Sequence, residues 1–177
     1  VFCAHDGPCY YAGGPNSWLQ RLLPDLYNDG IDITLLVIGN GPPEECPLVS
    51  VLQAKNIPVR FFDNRAKPGQ FLEQKLRWLV DQLNEIRPDV FVPNLVIPAF
   101  YAATWVQKAG IPSIGVIHSN DSFYHHLLET FVYGSEKWRV NAVVAVSDYL
   151  EAAISKEDHG EVLLHRIPYG VPLFERT

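Results

Sequence analysis

Short β-branched runs alternate with longer helical stretches along this whole chain, and that alternation restricts its fold more than any other feature. VFCAH (1–5) reads as the end of a first strand. PNSWLQRLLPDLYNDG (15–30) spaces Trp18, Leu22, Leu23, Leu26 and Tyr27 along one helical face, and Gly30 supplies a stop. Pro24 lies inside that segment and is expected to kink the helix or split off its last turn. IDITLLVIG (31–39) is apolar almost throughout after Thr34, as suits a strand covered on both faces. A short helix around 46–56 and a third strand, IPVRFF (57–62), follow. FLEQKLRWLVDQLNEIRP (71–88) then sets Leu72, Leu76, Leu79, Leu83 and Ile86 on one stripe before Pro88 closes it. The remaining order is a strand at 89–93 (DVFVP), a helix near 97–109 ending at Gly110, a strand at 111–118 and a helix near 122–135. A strand at 141–147, a helix at 148–157 capped by Ser147 and a strand at 161–168 complete it.

Strands separated by helices in this way build βαβ units. The expected fold is α/β and Rossmann-like: a doubly wound, mainly parallel sheet of about seven strands with helices on both faces. Sheets of this kind bind ligands outside the carboxyl ends of their strands. The loops of interest are therefore 6–14, 39–45, 63–68, 94–96, 118–122 and 147–148. At 177 residues the chain fits one domain. A domain of that size buries roughly 70% of its extended surface, so it needs no metal or disulfide staple.

Charge and cysteine content exclude several classes of function. A formal charge of −6 argues against a nucleic-acid partner, because phosphate binding needs a surplus of Lys and Arg, and Lys67, Lys75 and Arg77 are scattered. Cys3, Cys9 and Cys46 make an odd number without C-x-x-C spacing, which argues against a disulfide framework or zinc site and fits free thiols in a reducing cytoplasm, although Cys3 and Cys9 are close enough in sequence to pair. The most apolar stretch, 89–106, is interrupted by Pro93, Asn94 and Pro98, whereas a membrane span needs about 20 mostly unbroken apolar residues. No signal-peptide pattern opens the chain. The expected location is the cytoplasm. Peripheral attachment to a membrane is left open, and the acidic balance gives it no support.

Three constellations carry candidate chemistry. The first is HDGPCYYAGGPNSW (5–18), which lacks G-x-G-x-x-G, while the second strand ends in VIGNG without an acidic residue at its tip. A dinucleotide fingerprint is thus absent, as is a phosphate-binding G-x-x-x-x-G-K-[ST] loop. What remains is Gly13–Gly14 ahead of a helix beginning near Pro15. The free N–H groups and partial positive charge of a helix start suit a phosphate or a sugar hydroxyl. The alternative is a turn that uses glycine only for backbone freedom.

The second constellation is GVIHSNDSFYHH (115–126), where a strand ends at His118 and Ser119, Asn120 and Asp121 follow. His118 at a strand's carboxyl end can hydrogen-bond a substrate; alternatively Ser119 or Asp121 caps the next helix and His118 is incidental. His125 and His126 are adjacent on a helix and cannot face the same way, so they form no metal pair. No metal and no cofactor are expected. The third constellation, NAVVAVSDYLEAAI (141–154), places Ser147 at a strand-to-helix junction as an N-cap whose hydroxyl can also reach a ligand. It lacks the G-x-S-x-G of a serine hydrolase. Tyr10–Tyr11 and Phe123–Tyr124 are aromatic pairs suited to an apolar acceptor surface or to a core edge.

Four segments together resemble the N-terminal domain of the family-4 (group 1) retaining GT-B glycosyltransferases. They are AGGPNSWLQRLLPDLYNDGIDITLLVIG (12–39), RPDVFVPN (87–94), GIPSIGVIHS (110–119), and NAVVAVSDYLEAAI with IPYGVPLF (141–154, 167–174). The family's usual I-P-N-G-V-D has Tyr169 in place of Asn and Pro172 in place of Asp here. The resemblance implies that Gly13 and Gly14 lie against the donor's sugar and diphosphate, with Ser147 also on the donor side. It implies that His118 contacts the donor sugar near the reaction centre. Tyr10, Tyr11, Asn94, Ser119, Asn120 and Asp121 then line the acceptor side. Residues 1–167 correspond to the acceptor-binding domain and 168–177 to the start of the interdomain linker, the donor domain lying outside this chain. The implied partners are a nucleotide-sugar donor and a sugar, polysaccharide or lipid-linked acceptor. The isolated half is expected to turn over little. The competing expectations are a non-catalytic sugar- or partner-binding domain and an NAD-dependent oxidoreductase or epimerase.

Overall fold

Residues 35–39 show how the sequence sets up the layers. Leu36 and Ile38 point to one side of the sheet, Leu35 and Val37 to the other, and all four are buried. Such a strand needs helices on both faces. The structure, a computed structural model, describes residues 1–8, 13–65 and 71–170. In order the elements are β1 (Phe2–Asp6), α1 (Gly14–Asn28), β2 (Leu35–Gly39), α2 (Pro47–Gln53), β3 (Val59–Asp63), α3 (Leu72–Ile86) and α4 (Ile97–Lys108). They continue with β4 (Ile114–Ile117), α5 (Ser122–Phe131), β5 (Ala142–Ala145), α6 (Asp148–Ile154) and β6 (Leu163–Arg166). Single 3₁₀ turns at Pro43–Glu45 and Glu136–Trp138 join some of them.

The strands form two three-stranded parallel sheets, β1-β2-β3 and β4-β5-β6. The expected sheet of about seven strands is therefore corrected to six described strands in two sheets. The missing strand is 89–93, which contributes only two isolated parallel bridges, Phe2 with Val92 and Phe91 with Ser113. Its main chain still bonds to both neighbours: Cys3 N donates to Val92 O at 2.9 Å and Ile114 N to Phe91 O at 2.9 Å. Pro93, which has no N–H to give, and Asn94, at φ 47°, end the pairing after two residues.

On one side of β1 and β2, Cys3, Leu36 and Ile38 pack with Leu79 and Leu83 of α3 and with Ala99, Phe100 and Ala103 of α4. On the other, Ala4, Leu35 and Val37 pack with Leu19 and Leu23 of α1 and with Leu48, Val49 and Leu52 of α2. Each such fully buried Leu contributes about 1.5–3 kcal/mol of transfer free energy. Pro24 neither ends nor splits α1, which runs through it to Asn28. The ring is buried, so packing holds the turn that the missing N–H weakens. Cys3 and Cys46 are buried free thiols, and Cys9 lies outside the described residues. Among the described residues no helix is long and apolar enough to cross a membrane.

This topology fixes where a ligand can go. The chain passes from β1 outward to β2 and β3, then returns to the 91–92 segment and moves outward again to β4, β5 and β6. The order reverses between β1 and the 91–92 segment, and the crevice of such a sheet opens at that switch point.

Candidate functional site

His118 is the first residue past β4 and Asn94 the second past the bridged Val92, so the two side chains leave neighbouring positions at the carboxyl edge. Nε2 of His118 lies 2.7 Å from Oδ1 of Asn94. An amide oxygen only accepts, so Nε2 carries the proton and Nδ1 holds the lone pair. The Tyr169 hydroxyl bonds that Nδ1, donating to it. Trp18 of α1 meets the imidazole edge-on at 5.1 Å between centroids, and the Tyr169 ring stacks on it at 5.8 Å and 15°. Burial alone pulls the His118 imidazole down to about 4, so it is neutral at physiological pH with both nitrogens engaged. Burial also pushes the Tyr169 phenol up to about 12.

Asn94 is fully buried and its Nδ2 has no hydrogen-bond partner. The buried hydroxyl of Tyr124 sits beside the His118 main chain without a well-formed hydrogen bond to it. Burial first, then the Tyr169 and Asp121 oxygens, raises the Tyr124 phenol well above its ordinary value.

Gly13 is the N-cap of α1 at φ −58°, ψ 164°, and Gly14 is the first helical residue. Neither has a positive φ, though Gly14 is helical and directly precedes Pro15, whose ring disfavours a Cβ there. A Cβ on Gly14 meets nothing within 4 Å apart from its chain neighbours. Two hollows flank this helix start. One, of about 600 Å³, is lined by Gly14, Ser17, Trp18, Arg21, Tyr169 and Gly170 among others. The other, of about 380 Å³, is lined chiefly by His5, Gly13, Asn16, Leu95, Asp121 and Phe123. A third groove, of about 590 Å³, runs past Arg87, Trp105 and Gly110. These residues precede the 91–92 segment and β4, so that groove opens at the amino edge, away from the switch point.

Along the same carboxyl edge, β1, β2 and β3 end in a row of polar side chains. Asn16 Nδ2 donates to the His5 carbonyl at 3.0 Å, Asn40 Nδ2 faces His5 Nε2 at 3.4 Å, and Asn64 Nδ2 donates to Asn40 Oδ1 at 2.9 Å. Burial, then the Lys75 charge, lowers the His5 imidazole against the opposing pull of Asp6. Asp6 itself is buried and accepts from Leu48 N at 2.9 Å and Val49 N at 3.4 Å, serving as a remote cap for α2.

The other residues singled out in the sequence are distributed as follows. Asp121 is the N-cap of α5, its Oδ1 accepting from Phe123 N at 3.0 Å and Tyr124 N at 3.2 Å, while it also borders the smaller hollow. Ser147 caps α6 by accepting from Leu150 N at 3.3 Å. Asn120 Nδ2 donates to Tyr149 Oη at 2.9 Å on the surface, and Ser119 is half-buried beside His118. Tyr10 and Tyr11 lie outside the described residues. Sequence reasoning missed Trp18 as a neighbour of His118, because helical spacing marks it as core; Tyr124, read as part of an acceptor surface or a core edge, is also beside His118. The same reasoning missed His5, Asn16, Asn40 and Asn64; the last two follow directly after β2 and β3, the one signal available. Among the described residues no cluster of His, Cys, Asp or Glu is placed to hold a metal ion.

Parallel α/β sheets with this reversal, and a histidine beside a helix start at their carboxyl edge, define a Rossmann-like domain. The chain belongs to glycosyltransferase family 4, whose sequence pattern matches residues 12–173. No curated protein sequence matches it. HepE of Anabaena, solved with UDP and glucose, is similar in fold at TM-score 0.61 and 19% identity over 96% of this chain and 44% of its own. A glycosyltransferase from Rickettsia africae gives TM-score 0.60 and 15% identity over 97% of this chain and 43% of its own. A UDP-GlcNAc 2-epimerase from Neisseria meningitidis bound to UDP-GlcNAc gives TM-score 0.52 and 17% identity, over 93% and 46%. The chain thus spans less than half the length of these structures.

Proposed function

We propose that this chain is the acceptor-binding N-terminal half of a retaining glycosyltransferase that takes a hexosyl group from a nucleotide-sugar donor. Residues 1–167 form that half and 168–177 begin the connection to a donor-binding domain, so the isolated half turns over little or nothing. The reading rests on membership of the family and on one observation: His118, Asn94, Trp18 and the Gly13–Gly14 helix start converge at the switch point. Bound UDP and UDP-sugars in proteins of similar fold support a uridine nucleotide as the first donor to try.

In this reading Gly13, Gly14 and the start of α1 take the donor's sugar and diphosphate, where first-turn N–H groups and the helix dipole stabilise negative charge. His118 contacts the donor sugar. The smaller hollow, bordered by Gly13 and Asp121, takes an acceptor sugar, polysaccharide or lipid-linked sugar together with Asn94, Ser119, Asn120, Tyr10 and Tyr11. Ser147 lies on the donor side. Positioning and charge stabilisation then supply the catalysis. The protein acts in the cytoplasm, at the membrane surface if its acceptor is lipid-linked.

The test is transfer by the full-length protein across a panel of nucleotide sugars. Donor-dependent transfer abolished by both His118→Ala and Gly14→Val, with folding intact, supports the reading. Transfer unaffected by either moves the site elsewhere, and no transfer with any donor leaves a binding domain.

A further inference from the structure

His118 as found has nothing left to offer a ligand. Its Nε2–H is given to Asn94 and its Nδ1 lone pair is taken by the Tyr169 hydroxyl. One of these bonds has to open before any substrate group reaches the imidazole, and the two partners differ in how they are held. Asn94 is completely buried, fixed at φ 47° between the bridged Val92 and the start of α4. Tyr169 is 41% exposed in a segment that has left β6. Ile167 N donating to Ala145 O at 3.0 Å is the last main-chain bond between that segment and the sheet among the described residues. Pro168 has no N–H to anchor, and Gly170 beyond it has no neighbour within 4 Å of a Cβ built there. The Tyr169 ring also walls the larger hollow beside Gly14 and Trp18, so moving it widens that hollow toward His118.

We infer that Tyr169 is a displaceable cap on His118: its phenol hydroxyl occupies Nδ1 until a hydroxyl of the bound sugar takes its place. The inference rests on the reading of His118 as the residue that touches the donor sugar. The exchange is chemically even, one O–H donor for another at the same lone pair, so it costs little beyond reordering of the 167–170 segment. It makes Tyr169 a positioning residue, acting through His118. Burial of the imidazole favours its neutral form, and a neutral Nδ1 is an acceptor that selects hydroxyl over anionic groups.

The experiment uses ¹⁵N-histidine-labelled full-length protein, with the His118 signals assigned by their loss in His118→Gln. UDP-glucose and UDP-N-acetylglucosamine are the first probes. Tyr169→Phe keeps the stacked ring and removes only the hydroxyl. In the free protein it should shift the Nδ1 resonance toward that of an unbonded lone pair. It should also lower the nucleotide-sugar concentration needed for half-saturation about two- to tenfold, the worth of one neutral hydrogen bond no longer displaced. The overturning results are distinct. If a nucleotide sugar binds Tyr169→Phe without returning its Nδ1 resonance to the hydrogen-bonded position, or if Tyr169→Phe weakens binding, Tyr169 is not a displaced cap and the transferase reading stands. If no nucleotide sugar binds or is turned over by the unmodified protein, both fall together.

Discussion

Nε2 of His118 and Oδ1 of Asn94 stand 2.7 Å apart, joining two side chains that leave adjacent positions at the sheet's carboxyl edge. Asn94 reaches this place only by adopting φ 47°, a conformation Asn tolerates better than other non-glycine residues. Replacing it by Ala removes the acceptor of a buried N–H, costing about 1–3 kcal/mol, and adds roughly 1 kcal/mol of left-handed strain. Asn94→Gly relieves the strain and not the lost bond. Denaturant unfolding should therefore rank the variants native, Gly, Ala in falling stability. An Ala variant at least as stable as the Gly variant disproves the backbone part of this account.

The same burial sets a pH dependence. A His118 imidazole held near 4, against an ordinary 6.5, means the folded state binds fewer protons than the unfolded one between these values. Stability is then full above about pH 6.5 and falls as the pH drops toward 4, by an amount on the order of 2–3 kcal/mol. His5, also lowered by burial, acts in the same direction, so the informative quantity is a difference. His118→Gln should lose less stability than the native protein between pH 6.5 and 4.5 in thermal melts. Parallel curves for the two proteins rule out His118 as the source.

Asp6 has the opposite sign. Burial raises its carboxyl above 3.8, outweighing the Gly7, Val49 and Leu48 amides and His5, which favour the charge. Its contribution is full below the ordinary value and declines as pH rises through the folded one. At pH 7 Asp6→Asn keeps an oxygen for Leu48 and Val49 and removes the buried charge, at the loss of the Gly7 contact. It should cost less than about 1 kcal/mol. Asp6→Ala leaves the start of α2 uncapped and should cost about 2 kcal/mol. Equal losses in urea titrations exclude capping as its role.

What the sequence disclosed and what it withheld have physical causes. Leu35–Gly39 and the Leu79–Leu83 stripe were legible because burial on two faces, or on one, leaves a local period in the chain. The apolar run at 89–93 carries the same local signal as a strand. Its ladder stops after two residues because Pro93 lacks a donor and Asn94 turns away. Pro24 does not split α1, since core packing outweighs one lost hydrogen bond. His118 and the Gly pair stood out by position at strand and helix ends. Tyr169, 51 residues from the imidazole it covers, left no local trace: only tertiary packing brings the two together.

Gly14 separates stability from function. It is the first residue of α1, its φ is not positive, and a Cβ there meets no group beyond its chain neighbours. Ala restricts the unfolded chain, but Pro15 disfavours a helical residue with a Cβ before it, so the two effects oppose and Gly14→Ala should change stability by less than about 1 kcal/mol. The same methyl group stands in the hollow shared with Trp18 and Tyr169, where the donor's diphosphate is proposed to meet the helix start. Nucleotide-sugar binding should weaken, and Gly14→Val should weaken it further. Calorimetric melting and donor titration of the same samples test both halves. A variant that keeps its stability and binds less donor identifies Gly14 as kept for a ligand's approach. One that binds donor equally well returns the Gly pair to an ordinary turn.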